Sequence, residues 1–385
     1  MSMILGIDAS NLHTGGSTTH LCEVLRAAEP ARSGFSKVVV WSGAATLAQL
    51  EERAWLVKGH EPLLDGGLAG RAFWQRFRLS SIVRRLNCDA LWVPGGSFAG
   101  DFQPVVTMSR NMLPFEWAEI RRYGASWMFF KLLLLRLTQT RSYRRADGTI
   151  FLTRYAYGGV TSVVGTIPGK TKIVPHGVDT RFMINPRRQR PISEYTLAQP
   201  FRMVYVSTID AYKHHGAVAK AVGLLRNRGL PVSVDFVGGF YAPAYRRLRN
   251  VLAQVDPTGA FVHCRGKLPY RDVHSSYAQA DLCIFASSCE NMPNVLLEGM
   301  ASGLPIACSD RGPMPEVLGD TGLYFNPEDP DSVAKTLQRL IEAPELREQL
   351  AHASSERSRE YTWKRCADDT FAFIAEVARA SQQAR

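Results

Sequence analysis

The sequence predicts an α/β protein built from two doubly wound, parallel-sheet domains, and three observations carry this. Short apolar runs recur along the chain, each ending in a polar or glycine-bearing loop that leads into a helical pattern. The stretch 282–308 shows the unit whole. An apolar run at 282–286 is followed by a loop from Ser287, a short helical segment and a second apolar run at 304–308. Finally, 385 residues, 45% of them apolar, suffice for two cores of ordinary size.

In chain order, a strand at 3–7 ends in Asp8-Ala9-Ser10-Asn11, and a loop holding Gly15 and Gly16 leads into a helical pattern at 20–28. Strand, paired glycines and helix in that order allow backbone to approach a phosphate-bearing ligand. Further strands are expected at 38–41, 90–93, 105–108, 148–152 and 171–174. The fourth of this first series ends in Ser109-Arg110-Asn111 and the last in His176-Gly177-Val178-Asp179. Residues 183–200 hold three prolines and no period, which reads as a linker. A second series follows at 203–206, 232–237, 261–263, 282–286 and 305–308, and a final helix at about 363–380. The expected domains are residues 1–185 and 200–361, with 363–385 returning to the first.

The net charge of +11, from 46 Lys and Arg against 35 Asp and Glu, implies an anionic partner. Seven scattered cysteines without a C-x-x-C pair argue against a disulfide framework and for a reducing cytosol. The N-terminus lacks the basic leader of a secretion signal. No apolar run reaches the roughly 18–20 residues of a spanning helix. No nucleic-acid-binding motif is present, and no His/Cys cluster has metal-ligand spacing.

The acidic residues Glu290 and Glu298 stand in the loop and on the helix between two buried strands. At the helical rise the eight-residue separation is about 12 Å, a span suited to the two ends of a nucleotide-sugar. Between them, amides near Asn291, Met292, Pro293, Asn294 and Val295 would form a helix start that favours a diphosphate. Two motifs are set aside. The stretch Gly165 to Thr171 resembles a phosphate loop but is one residue short and precedes a strand. Asp329-Pro330-Asp331 reads as a helix cap followed by Pro at the first helical position. Basic and aromatic residues cluster at 71–78, 84–85, 121–123, 127–136 and 141–145. The part 130–137 reads as a buried helix with a solvated basic end, while the mixture of aromatic and basic side chains suits an anionic leaflet.

The E-x7-E arrangement, the Gly15-Gly16 loop and the order of elements resemble the retaining family-4 glycosyltransferases of the GT-B fold, over nearly the whole chain. The resemblance implies two Rossmann-like domains facing across a cleft, a C-terminal helix crossing back, and transfer of a hexosyl unit from a nucleoside-diphosphate sugar with retention. In that family Glu290 would face the donor sugar's hydroxyls and Glu298 the ribose. Lys213 would bind the diphosphate. Ser207, Thr208 and Ile209 stand where the family has Gly-Arg-Leu, so one cation is replaced, with Arg265 and Arg311 as candidate sources. Asn111 and Arg110 occupy the place of the family's histidine near the reacting sugar, and the backbone from Arg265 through Gly266 to Leu268 would read the base. Gly312 to Glu316 resembles a subgroup of bacterial surface polysaccharide assembly, with Glu316 structural. The implied acceptor is a lipid-linked or saccharide hydroxyl at the inner face of the cell membrane, the implied donor a GDP-hexose or, next, a UDP-sugar. No metal or other cofactor is required. The open alternatives are a GT-B epimerase or phosphorylase and a non-catalytic nucleotide-sugar-binding member of an assembly complex.

Overall fold

A computed structural model describes residues 2–12 and 16–383. The chain divides into two compact units. The first comprises residues 1–120, 124–177 and 362–385, the second residues 121–123 and 178–361.

The first unit is a seven-stranded sheet in the order β3-β2-β1-β4-β5-β6-β7, with every pairing parallel. Its strands are β1 (Met3–Asp8), β2 (Phe35–Ser42), β3 (Leu56–His60), β4 (Ala90–Val93), β5 (Val105–Met108), β6 (Gly148–Phe151) and β7 (Lys170–Ile173). β4, β5 and β6 are buried at every position, as expected of parallel strands covered on both faces. Trp41, Trp74, Leu79, Val83 and Val105 form part of the core on one side. The Trp363–Gln383 helix packs on this sheet, burying Phe371, Phe373, Ile374 and Val377. Gly148 permits the approach, because a Cβ there would lie 2.9 Å from Val377 Cγ2. At its rim Lys172 pairs with Asp369 at 3.0 Å, and Arg379 donates to the Ser33 carbonyl at 2.9 Å.

The second unit is a six-stranded parallel sheet, β10-β9-β8-β11-β12-β13. Its strands are β8 (Phe201–Val206), β9 (Val232–Val237), β10 (Val262–Gly266), β11 (Leu282–Phe285), β12 (Ile306–Ser309) and β13 (Leu323–Phe325). The edge strands β3 and β13 escape the sequence reading for a physical reason. β3 is half exposed and its last three residues are Lys58, Gly59 and His60, and β13 is three residues long, so neither shows an apolar run sustained along a strand.

The expected linker at 183–200 is instead packed into the second unit. Gln189 and Tyr195 are buried, and the Tyr195 hydroxyl donates to Asp281 at 3.0 Å. Arg347, wholly buried, donates to Gln189 Oε1 at 3.2 Å, to the Arg190 carbonyl, and to the Leu340 carbonyl at 2.7 Å. Three prolines remove regular secondary structure here without removing side chains that a core residue can hold.

In each sheet the strand order reverses once, between β1 and β4 and between β8 and β11. Ligands of doubly wound sheets bind beyond the strand carboxyl ends at such a reversal. The loops that leave β8 and β11 carry Ser207 through Lys213 and Ser287 through Glu290.

Candidate functional site

After β8, Asp210 opens a 3₁₀ turn, Ala211–Lys213, by accepting from the Ala211 N–H at 2.7 Å. The turn closes on His214, a non-glycine residue at φ 47°. Its carbonyl geometry is pinned from below: the Tyr205 hydroxyl, from β8, donates to the Lys213 carbonyl at 2.9 Å. The loop after β11 is tied to this turn, since the Ser288 N–H donates to the Tyr212 carbonyl at 2.8 Å and Ser288 Oγ meets His214 Nε2 at 2.9 Å.

These ties bring the ammonium of Lys213 onto the carboxylate of Glu290 in a direct ion pair. The two side chains are 11% and 16% exposed, so the pair is shielded yet open at one side. Lys213 Nζ also sits 5.0 Å from the Tyr212 ring centroid and 5.4 Å from that of Phe285, where the aromatic faces favour a cation. The backbone of Glu290 lies beside Gly312, whose φ is +58° and whose added Cβ would be 3.8 Å from the Glu290 nitrogen. The 310–314 loop therefore borders the same spot. Arg311, named above as a replacement cation, is held by Asp310 at 3.2 Å and by Asn326 Oδ1 at 3.2 Å.

Glu298 has a different environment. It lies on the Asn294–Ala301 helix, 5% exposed, with the Tyr277 hydroxyl 3.4 Å from Oε2. Burial pushes its carboxyl up to about 8, against the lowering influence of hydrogen bonds from Tyr270 and Tyr277 and of Arg181. At neutral pH it is mainly protonated and can donate as well as accept. The helix starts at Asn294, with Pro293 as its cap residue, four positions later than Glu290. Asn291 and Met292 are buried ahead of it, Pro293 has no N–H to offer, and only Asn294 and Val295 of the expected five belong to the helix. The 12 Å spacing derived from helical rise does not apply, because the first half of that span is loop.

Arg265 and Leu268 line a common cavity of about 450 Å³ with Asp235, Ser275 and Gln279. Arg265 pairs with Asp235 at 3.0 Å, and His263 Nδ1 approaches the same oxygen at 3.1 Å. Gly266 ends β10 at φ +73°, in the left-handed region that favours glycine. Ser207 is buried at the end of β8, with Oγ donating to the Thr208 carbonyl at 3.2 Å.

The remaining expected residues lie in the first unit. Gly16 opens the Gly16–Ala27 helix, and Gly15 lies outside the described residues. Arg110 donates to the Gly16 carbonyl at 2.8 Å, so the end of β5 is fastened to the start of that helix. Burial lowers its guanidinium to about 10, which leaves it a cation at neutral pH. Asn111 Oδ1 accepts from the Leu113 N–H at 3.1 Å in a local turn. The histidines that sequence reading did not find at the end of β5 are nearby. His20 and His176 are buried with ring centroids 4.6 Å apart, and Trp363 flanks both. Burial, then Arg110 and His176, holds His20 well below its ordinary value, hence neutral. Their signal was thin: His20 is one residue on a helix face, and His176 stands in a turn already noted for its glycine. Among the described residues no cluster of three or more His, Cys, Asp or Glu has the geometry to hold a metal ion.

Two Rossmann-type sheets of this strand order in one chain define the GT-B fold. Solved structures agree over the whole length: sucrose-phosphate synthase from Thermosynechococcus elongatus aligns with a TM-score of 0.73 and 16% identity, covering 100% of both chains. Anabaena HepE, solved with UDP-glucose, aligns at 0.68 and 16%, again covering 100% of both. At such identities the likeness is one of fold. The family follows from sequence. A model described as Glycosyltransferase Family 4 matches residues 14–182, and one described as Glycosyl transferases group 1 matches residues 200–343. Together they take in most of the chain, and it belongs to this glycosyltransferase family. An O-antigen chain mannosyltransferase B of Escherichia coli is 25% identical over 183 residues, 46% of this chain and 47% of that enzyme. The chain matches about half, or less, of the length of the first curated relatives.

Proposed function

We propose that this protein is a retaining glycosyltransferase that moves a hexosyl unit from a nucleoside-diphosphate sugar to a hydroxyl of a lipid-linked or saccharide acceptor in surface polysaccharide assembly. The observation that carries the reading is the Lys213–Glu290 pair, built by the loops leaving β8 and β11 at the reversal of the second sheet. The pair offers a cation for a diphosphate beside a carboxylate for sugar hydroxyls, both prepositioned. The O-antigen mannosyltransferase relative supports hexosyl transfer in surface polysaccharide assembly; a GDP-hexose is our first choice of donor, and the fold shared with a UDP-glucose-bound structure keeps UDP-sugars as the next.

In the proposed reaction the bond between the anomeric carbon and the diphosphate oxygen breaks, and the acceptor oxygen bonds the same face of that carbon. The acceptor proton passes to the departing diphosphate. Lys213 meets the negative charge that grows on the leaving group, and Glu290 holds the sugar ring by accepting from its hydroxyls. The protein's part is positioning and charge stabilisation, with no step routed through a metal. The acceptor's lipid would place the protein at the inner membrane face. Among the described residues no helix is long and apolar enough to cross a membrane.

A thermal-shift panel of UDP, GDP and ADP, followed by their sugars, tests the donor reading. One nucleoside diphosphate should raise the melting temperature, since a ligand that binds only the folded state stabilises it. Absence of a shift with all three, and with their sugars, would remove the proposal.

A further inference from the structure

The Trp127–Arg145 helix of the first unit is built the wrong way round for a surface helix. The side chains it buries are Leu132, Gln139, Ser142 and Tyr143, three of them polar. The face turned to solvent carries Trp127, Phe130, Leu134 and Leu137, which are 77%, 56%, 61% and 69% exposed. These four recur at helical spacing and form one stripe. Lys131, Arg141 and Arg145 are exposed along the same stripe, and none of the three is ion-paired among the described residues. Arg144 is engaged instead with the Val164 carbonyl at 2.6 Å. Folding of the first unit gains nothing from large apolar groups held in water, so their placement calls for an occupant outside the chain.

We infer that this stripe docks the protein on an anionic lipid bilayer. Charge selects that occupant. A second copy of the chain would set Lys131, Arg141 and Arg145 against their own kind, on a protein already at +11. An acidic leaflet neutralises them while its acyl region takes up Phe130, Leu134 and Leu137. The helix is too polar on its other face to cross the membrane, and it lies in the interface. The first turns sink, with Trp127 at the headgroup boundary, and the arginine-bearing last turns rest on the lipid phosphates. This deepens the membrane-surface part of the function proposed above and does not depend on the donor site.

The test is co-sedimentation of the full chain with vesicles of phosphatidylcholine alone and of phosphatidylcholine mixed with phosphatidylglycerol. The protein should sediment with the mixed vesicles only, and less as salt rises. Phe130→Ser/Leu134→Ser and Arg141→Glu/Arg145→Glu should each weaken sedimentation by about tenfold or more, because apolar insertion and basic contacts both contribute. Each variant should keep the wild-type melting temperature and the same nucleotide-induced shift, which separates loss of docking from loss of fold or of donor binding. No binding to acidic vesicles, or equal binding by wild type and both variants, would overturn the inference. So would a concentration-dependent dimer that the same substitutions abolish, since that would make a second copy the occupant.

Discussion

Glu290 and Glu298 are eight residues apart and chemically the same acid, yet the fold gives them opposite surroundings. Glu290 faces an ammonium at the mouth of a loop, and Glu298 faces tyrosine hydroxyls in a closed pocket. The first is placed to accept hydrogen bonds from a sugar. Glu290→Gln keeps the size and one acceptor but removes the charge that holds both Lys213 and the hydroxyls. Transfer should fall by about a hundredfold, in line with removal of one preorganised electrostatic group, while far-ultraviolet circular dichroism stays as in wild type. A variant as active as wild type would show that Glu290 does not hold the donor. The sequence alone places Glu290 and Lys213 in loops after strands and Glu298 on the helix that follows. Their surroundings could not be read there. The partner of Glu290 lies 77 positions away and meets it only through strand register, and the burial of Glu298 depends on Tyr270 and Tyr277 from an earlier segment.

At the level of elements, apolar runs identify interior strands, and β4, β5, β8, β9 and β11 stand where such runs place them. Composition fails where an element's surroundings decide its burial. The 130–137 run reads as core, yet Phe130, Leu134 and Leu137 of it are exposed and only Leu132 is buried, while the later turns of the helix bury Gln139, Ser142 and Tyr143 instead. The converse holds at 183–200, where a proline-bearing stretch is drawn into the second unit by Arg347. That guanidinium is held by the carbonyls of Leu340, Ile341 and Arg190 and by Gln189, and it lies 5.0 Å over the Phe201 ring. Arg347→Met would leave buried carbonyls without donors, at about 1–3 kcal/mol for each group stranded. Urea unfolding of the variant should show a loss of about 3 kcal/mol or more. A midpoint equal to wild type would mean that water replaces the guanidinium without cost.

Over the whole molecule, buried titratable groups set how stability varies with pH. Glu298 is held at about 8 when folded, against an ordinary value of 4.5. Its folded form binds the proton more tightly, so stability falls as pH rises from 4.5 towards 8, by up to about 1.4 kcal/mol per unit. His214 and His215, lowered from 6.5 to about 4 and about 3 mainly by burial, act the other way and lose stability only as pH falls below 6.5. Between 6.5 and 8 the glutamate slope alone remains of these three. Wild-type stability should decline across that window, and Glu298→Gln should flatten the decline. Parallel slopes for the two proteins would place the proton elsewhere.

The Trp363–Gln383 helix covers a sheet whose strands were all laid down before residue 174. A ribosome therefore finishes every strand of the second unit while the first still waits for its lid. Until residues 363–383 are made, Phe35 lacks the Phe371 ring and Gly148 the Val377 and Phe373 side chains that pack on them in the folded chain. The first sheet is thus made before the second unit and covered after it, and in the interval its open apolar face is a surface that a chaperone can hold.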